Sequence, residues 1–170
     1  DRFRSAIEQG VENEDLWNER FRSYAEAFPS LAKTWEQCLN GVLPEGWDRE
    51  IPSFPTDPKG MATRVASGKV LNAIARHVPN LIGGSADLGP SNKSFVKGFG
   101  ETGRNRTGRN IHFGVREHAM GAIQNGIAYY GGFIPYCATF LVFMDYMRPP
   151  MRLASLSGLQ SIYLFSHDSF

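Results

Sequence analysis

The 170-residue sequence is poor in several features that mark particular classes of protein. Its formal net charge is only +1, so no bulk electrostatic field favours nucleic acid or an anionic membrane surface. The longest apolar stretch, residues 133–147, is interrupted by Pro135, Tyr136 and Asp145 and is too short to cross a bilayer. The first residues, DRFRSAIEQG, contain no apolar signal region. We therefore expect a globular cytoplasmic protein that binds neither nucleic acid nor a membrane.

Cysteine is also scarce, since only Cys38 and Cys137 occur and they lie far apart. Two free thiols in a reducing compartment are the expected state, although a disulfide between them remains open from the sequence. Several short motifs are missing as well. There is no HExxH or spaced Cys/His set, no dinucleotide fingerprint, no phosphate loop with GK[ST] and no GxSxG nucleophile turn. The sequence therefore predicts no metal site among its own residues.

Helical periodicity and proline content divide the sequence into two parts. Residues 1–41 are typical of helices, because aromatic side chains recur at three- and four-residue steps up to Pro29. Residues 42–60 contain four prolines, each of which removes a backbone donor and restricts the residue before it. We predict an extended linker there. The expected division is a helical segment with its linker at 1–58 and a second domain at 59–170.

In the second part, predicted helices and strands alternate. The expected helices are 61–77, 117–130 and 140–156, the expected strands are 81–84, 111–113, 133–139 and 161–165, and a long polar loop covers 89–110. This alternation predicts an α/β fold, in which helices cover both faces of a parallel sheet. Pro149 and Pro150 are expected to break or kink the last helix, unless they lie early in a new one.

Polar residues follow each predicted strand, and ligands of such sheets bind at the carboxyl ends of the strands. By itself this pattern favours a small-molecule site only modestly, because strand ends are polar in any protein. Glu117 has a complete structural explanation as an acid at a helix start. Arg104, Arg106 and Arg109 are interpreted as a solvated basic loop, near a neighbouring subunit.

Four longer stretches are far more specific when they are taken together and in order. They are LIGGSADLGPSN, GRNIHFGVREHAMGAIQNGIAYYGG, PYCATFLVFMDYMRPPMRLASLSG and SHDS. With ATRVAS at 62–67, they closely resemble the middle domain of the transketolase family, which binds the aminopyrimidine ring of thiamine diphosphate. Residues 1–58 are similar to the end of the diphosphate-binding domain and its tether. The resemblance implies a thiamine diphosphate-binding fold of the pyrimidine-domain type, truncated at its C-terminus and without the family's first and third domains.

The resemblance also implies roles for individual residues. Glu117 matches the family's catalytic glutamate, which hydrogen-bonds to ring nitrogen N1' and favours the imino tautomer of the 4'-amino group. A buried carboxyl suits this task, because burial favours its protonated form. Phe140, Phe143 and Tyr146 match the aromatic pocket around the pyrimidine ring, although core packing is the alternative for aromatics at this spacing. Asp87 matches an acid near the thiazolium ring and the subunit contact.

Three further residues match contacts to the phosphate of a sugar phosphate: Arg64, Ser91 and His167. An exposed helix charge and an ordinary strand-end histidine are the alternatives for the first and the last. The implied activity is the transfer of a two-carbon ketol group from a ketose phosphate to an aldose phosphate, in the pentose phosphate pathway. It would require thiamine diphosphate, Mg²⁺ or Ca²⁺ held by the diphosphate domain, and a second subunit in a homodimer. The fragment alone is expected to be inactive. The alternatives are a non-catalytic assembly module, or a split subunit of a related enzyme such as dihydroxyacetone synthase or deoxyxylulose-phosphate synthase.

Overall fold

A computed structural model describes residues 2–103 and 106–168. It begins with two helices that pack on each other, α1 at Arg2–Ala27 and α2 at Pro29–Leu39. Pro29 lies in the first turn of α2, where its missing N–H has no helical partner to lose. No residue of α1 is buried, and its aromatic residues Trp17, Phe21 and Tyr24 stack on one another with ring centroids 5.2 and 6.4 Å apart. The predicted helices are confirmed, but the aromatic face of α1 packs against itself instead of a core.

The proline-rich segment that follows contains no helix or strand between Leu39 and Thr63. It is nevertheless held against the rest of the chain. Trp47 packs against one hydrophobic core, and the Glu50 carboxylate pairs with Arg76 at 2.8 Å and with His77 at 3.1 Å. Hydrogen bonds from Arg76 and then from His77 lower the pKa of Glu50. The linker therefore lies along the C-terminal end of the next helix.

The remaining residues form a four-stranded parallel sheet in the order β2-β1-β3-β4. In chain order the elements are α3 Thr63–His77, β1 Leu81–Ser85, α4 Gly89–Asn92, β2 Asn110–His112, α5 Glu117–Tyr130, β3 Ile134–Phe140, a 3-10 turn Leu141–Phe143, α6 Met144–Leu156 and β4 Ile162–Ser166. Each predicted strand is present with bounds that differ by one residue, and α5 has the predicted bounds. No helix of the described residues is long and apolar enough to cross a membrane.

Two hydrophobic cores lie on opposite faces of the sheet. Successive side chains of a strand point to opposite faces. Accordingly, Tyr136 joins a core with Leu71 of α3, and the adjacent Cys137 joins a second core with Met120 of α5 and Met147 of α6. Helices thus cover both faces, and the predicted α/β fold is confirmed. Cys38 and Cys137 are both free, and burial raises the pKa of the Cys137 thiol to about 12.

Two local expectations were wrong, and contacts distant in sequence explain both. The predicted loop 89–110 contains the short helix α4. Helix α6 continues through Pro149 and Pro150 without a break. Pro150 is buried against α5, where a Cβ added to Gly121 would lie 2.8 Å from its Cγ, and Asn125 donates to the Pro150 carbonyl at 2.7 Å. The neighbouring helix therefore supports α6 where the prolines remove backbone donors.

The interpretation of Arg109 as part of a solvated loop was also wrong. Its side chain is 8% exposed, and its guanidinium donates to the carbonyls of Ala75 at 2.6 Å, Val78 at 2.7 Å and Pro79 at 3.1 Å. The same group lies 3.5 Å from the ring centroid of Phe99. The last carbonyls of a helix have no helical partner, so a cation is favoured there. Of the other two arginines, Arg106 is exposed and Arg104 lies outside the described residues.

We expect Arg109→Met to destabilise the chain by about 3 kcal/mol, because it removes the guanidinium from three carbonyls, of which Val78 keeps only a 3.4 Å bond from the Leu81 amide. Urea unfolding followed by circular dichroism measures this change. Arg106→Ala, an exposed change in the same loop, is the control and should alter the free energy of unfolding by less than about 0.5 kcal/mol. An Arg109→Met variant as stable as the control would contradict the capping role.

Candidate active site

The carboxyl ends of β3 and β4 and the start of α5 meet at one edge of the sheet. In the parallel pairing of β3 with β4, Thr139 lies beside Phe165 and Phe140 beside Ser166. Helix α5 packs against β3 and begins at Glu117. This edge therefore brings together residues from three parts of the chain that are far apart in sequence.

Glu117 is a buried acid that receives little hydrogen bonding from the rest of the chain. Its side chain belongs to the buried face of α5, and the residue is 8% exposed. Thr139, which is fully buried, donates its hydroxyl to Glu117 Oε1 at 3.4 Å. This long bond is the one hydrogen bond that the described residues give to the carboxyl group, although a carboxylate accepts about four. Buried polar groups are normally satisfied, so this carboxyl has acceptor capacity for a partner from outside the chain.

The three predicted aromatic residues form one continuous stack beside this edge. The Phe140 and Phe143 rings lie 6.0 Å apart and nearly parallel, and the Phe143 and Tyr146 rings lie 6.1 Å apart. The ring of His167 meets Phe140 edge-on, with centroids 5.0 Å apart. Phe140 and Phe143 are half-buried, while Tyr146 is 61% exposed. The stack is therefore a surface feature, and the alternative of ordinary core packing does not describe it.

Two other predicted residues lie on the segment that follows β1. Ser91 is an exposed residue of α4, and its neighbour Asn92 donates from Nδ2 to Ser166 Oγ at 2.6 Å. Asp87 is exposed and has a φ of 64°, in the left-handed region that aspartate tolerates better than most residues. The structure thus brings Ser91 to the end of β4, next to the residue that precedes His167.

Arg64 stands apart from these contacts. It lies in the first turn of α3 and is half-buried. Within the described residues, no hydrogen bond or ring contact joins it to Ser91 or His167. The same holds for Asp87 and Glu117. The predicted site residues therefore form one connected group around β3 and β4, with Arg64 and Asp87 outside it.

A large cleft lies elsewhere in the described residues. Its volume is about 1040 Å³, and it lies between α3, β2 and the loop after α4. Asp87 is the one predicted site residue that lines it, and Glu117 and the aromatic stack do not. The cleft is lined by cations and one carboxylate of the linker, including Lys69, Lys93 and Glu50. The acid and the rings belong to a different edge of the sheet, which is the better candidate because it carries a buried carboxyl with unused acceptor capacity.

Exposed apolar side chains lie close in sequence to the acid and to the stack. Val115, just before α5, is 78% exposed. Leu141 and Val142, just after β3, are 50% and 55% exposed. We call these three residues and Tyr146 the apolar rim. Contiguous exposed apolar groups on a folded protein mark surfaces that other molecules cover.

Asp168 is a residue of this edge whose contact the sequence did not reveal. Its Oδ1 accepts a hydrogen bond from the Val142 amide at 2.9 Å, which ties the end of β4 to the 3-10 turn after β3. Its position after His167 in the SHDS stretch was the only available signal. Across residues 2–103 and 106–168, no group of three His, Cys, Asp or Glu side chains is placed to hold a metal ion.

Comparison with known proteins identifies the family. The family model for the pyrimidine binding domain of transketolase matches residues 59–170. This chain belongs to the transketolase family. It is 52% identical over 168 residues to the transketolase of Halalkalibacterium halodurans and 48% identical over 167 residues to that of Aquifex aeolicus, each match covering 98% of this chain. The two matches cover 25% and 24% of those relatives, so the chain spans about a quarter of their length.

Solved transketolase structures share the fold. The enzyme from Leishmania mexicana superposes with a TM-score of 0.92 at 38% identity, covering 98% of this chain and 25% of that one. The Pichia stipitis transketolase complex with sedoheptulose-7-phosphate superposes with a TM-score of 0.87 at 40% identity, covering 95% and 25%. The resemblance read from the sequence is thereby confirmed, while the roles of single residues in this transketolase domain stay predictions.

We expect Glu117→Met to leave the free energy of unfolding unchanged or to raise it by up to about 2 kcal/mol. A buried carboxyl with one long hydrogen bond contributes little to folding, and an apolar residue of similar volume avoids its desolvation. Denaturant unfolding of the chain measures the difference.

The matched control is Asn125→Leu on the same helix. Asn125 donates to the Pro150 carbonyl and accepts from the Tyr163 hydroxyl at 3.2 Å, so its loss should cost about 1–2 kcal/mol. If Glu117→Met destabilises the chain as much as this control does, the carboxyl is a structural group and not one reserved for a ligand.

Proposed function

We propose that this chain supplies the pyrimidine-binding part of a transketolase, which moves a two-carbon ketol group from a ketose phosphate to an aldose phosphate. The observation that carries the proposal is the under-used carboxyl of Glu117, whose one hydrogen-bond partner among the described residues, Thr139, directly precedes the first ring of the aromatic stack, Phe140. Family membership supports it, because the match includes every stretch that contributes to this edge.

The residues present fit the aminopyrimidine ring of thiamine diphosphate. Glu117 would hold a proton at ring nitrogen N1', and its free acceptor capacity and burial suit a single strong hydrogen bond of this kind. Phe140 and Phe143 would present ring faces for stacking. Thiamine diphosphate, when bound, would supply a thiazolium carbon acid that becomes a nucleophile toward the ketose carbonyl. The role of Glu117 is therefore to favour the basic tautomer of the cofactor's own amino group.

Hydrogen-bond donors near the same edge suit the phosphate of the sugar. Ser91 and His167 are both exposed, and the described residues make no hydrogen bond to the His167 ring. A serine hydroxyl and an imidazole N–H are both suitable donors to phosphate oxygens. Arg64 adds a bidentate cation if the substrate extends toward α3. Asp87 would lie toward the thiazolium side and the subunit contact.

The open shape of this edge supports a site that is completed by a second subunit. The apolar rim borders Glu117 and the stack and is exposed in this chain. In our proposal, the diphosphate-binding domain of a partner subunit covers the rim and holds Mg²⁺ or Ca²⁺. A homodimer and an inactive isolated fragment follow from this arrangement, and a cytoplasmic location is proposed with it because both cysteines are free.

A hybrid enzyme tests the proposal. In it, this chain replaces the matching quarter of the Halalkalibacterium halodurans relative, to which it is 52% identical. We expect the hybrid to dimerise and to transfer the ketol group from xylulose 5-phosphate to ribose 5-phosphate, as measured by product analysis. A folded, dimeric hybrid without activity would favour the assembly-module alternative, and products from other acceptors would favour a related thiamine enzyme.

In this hybrid, Glu117→Ala should lower the turnover number by about 100-fold or more, because proton transfer by a positioned acid contributes 10²–10⁴-fold. Glu117→Gln should keep thiamine diphosphate binding, measured by calorimetry, while losing most of the turnover. Glu36→Gln, an exposed change on α2, is the control and should behave as the unmodified hybrid. Ala and Gln variants that both turn over as fast as the unmodified hybrid would remove Glu117 from the reaction.

A further inference from the structure

A hydrogen bond between buried Asn92 and half-buried Ser166 joins α4, which carries Ser91, to the end of β4, which precedes His167. Asn92 is 5% exposed, and its Nδ2 donates to Ser166 Oγ at 2.6 Å across 74 residues of sequence. Ser91 directly precedes Asn92, and His167 directly follows Ser166. The bond therefore joins the two backbone segments that carry Ser91 and His167, whose exposed side chains do not contact each other.

The oxygen of the Asn92 amide makes no hydrogen bond within residues 2–103 and 106–168. Asn92 Oδ1 is buried and has no hydrogen-bond partner among the described residues. Buried polar atoms without a partner also occur elsewhere in the described part of the chain, so the informative contact of this amide is the bond that it donates to Ser166. Among the described residues, the Asn92 side chain makes one hydrogen bond, from Nδ2 to Ser166.

On its other side, His167 is also held through its neighbour and not through its ring. Asp168 Oδ1 accepts from the Val142 amide at 2.9 Å, which fixes the chain after His167 to the turn between Phe140 and Phe143. The imidazole itself has a ring contact with Phe140 and no hydrogen bond to described residues. The position of His167 is consequently set by Ser166 and Asp168, and the ring nitrogens remain available.

We propose that Asn92 and Ser166 are positioning residues that set the spacing between Ser91 and His167, so that both donors reach one phosphate group of the substrate. This inference rests on the proposed function and adds to it the residues that make the phosphate site a single unit. Two donors on separate loops would each have to be ordered when substrate binds, and fixing them beforehand removes that cost.

The hybrid enzyme provides the test, with Asn92→Ala, Ser166→Ala and the double variant. Xylulose 5-phosphate and unphosphorylated xylulose serve as alternative ketol donors. We expect each single variant to raise KM for xylulose 5-phosphate about tenfold with little change in kcat, since small misplacements of binding groups cost up to 10²-fold. The kcat/KM for xylulose should change less than twofold, and the double variant should be no worse than either single one.

A purely structural role gives a different result, and Asn125→Leu measures it. That control removes two hydrogen bonds of a half-buried asparagine on α5, away from Ser91 and His167. We expect it to lower stability without changing the preference for the phosphorylated donor. The inference is overturned if Asn92→Ala lowers kcat/KM equally for both donors, or if it leaves both unchanged. An inactive unmodified hybrid would instead count against the proposed function itself.

Discussion

The parallel pairing of β3 with β4 is the constraint on which the candidate site depends. Its register sets Phe140 beside Ser166 and Thr139 beside Phe165. From there, Thr139 reaches Glu117 at the start of α5, and His167 meets the Phe140 ring. Parallel strands place all their carboxyl ends at one edge, so segments near positions 91, 117, 140 and 167, which are far apart in sequence, converge there.

Several residues at or near this edge have features that cost free energy of folding. Glu117 is buried with a single long hydrogen bond, Asn92 has an unpaired buried oxygen, and Asp87 has a left-handed backbone. Some buried groups elsewhere are well satisfied. Arg109 donates to three carbonyls at the end of α3, and the Tyr136 hydroxyl donates to the Ser94 carbonyl at 2.9 Å. Others are not, since Ser94 Oγ, Arg109 Nε and Gln124 Oε1 also lack a partner among the described residues. Glu117 differs from these groups because it is an acid, and an under-satisfied buried acid costs more free energy than a neutral amide or hydroxyl does.

Local pattern predicted the elements well and the contacts between them poorly. Periodicity located α5 and the four strands, because each buries one face or both faces in the expected way. It failed for Arg109 and Pro150, whose surroundings come from α3 and α5 and leave no trace in the nearby sequence. In the site, the family resemblance singled out Phe140, Phe143 and Tyr146. The predicted helix from 140 was wrong, because Phe140 ends β3, Phe143 lies in the 3-10 turn and α6 begins at Met144. The bond between Asn92 and Ser166 could not be foreseen, since it depends on where two distant loops end.

Strand β4 lies at the border of the sheet, with β3 on one side alone among the described strands. Its five residues are only partly buried and include Tyr163 and Phe165. The outer side of such a strand offers a row of backbone donors and acceptors to any extended peptide. Among the described residues, the strand that organises the site is therefore also an edge of the sheet.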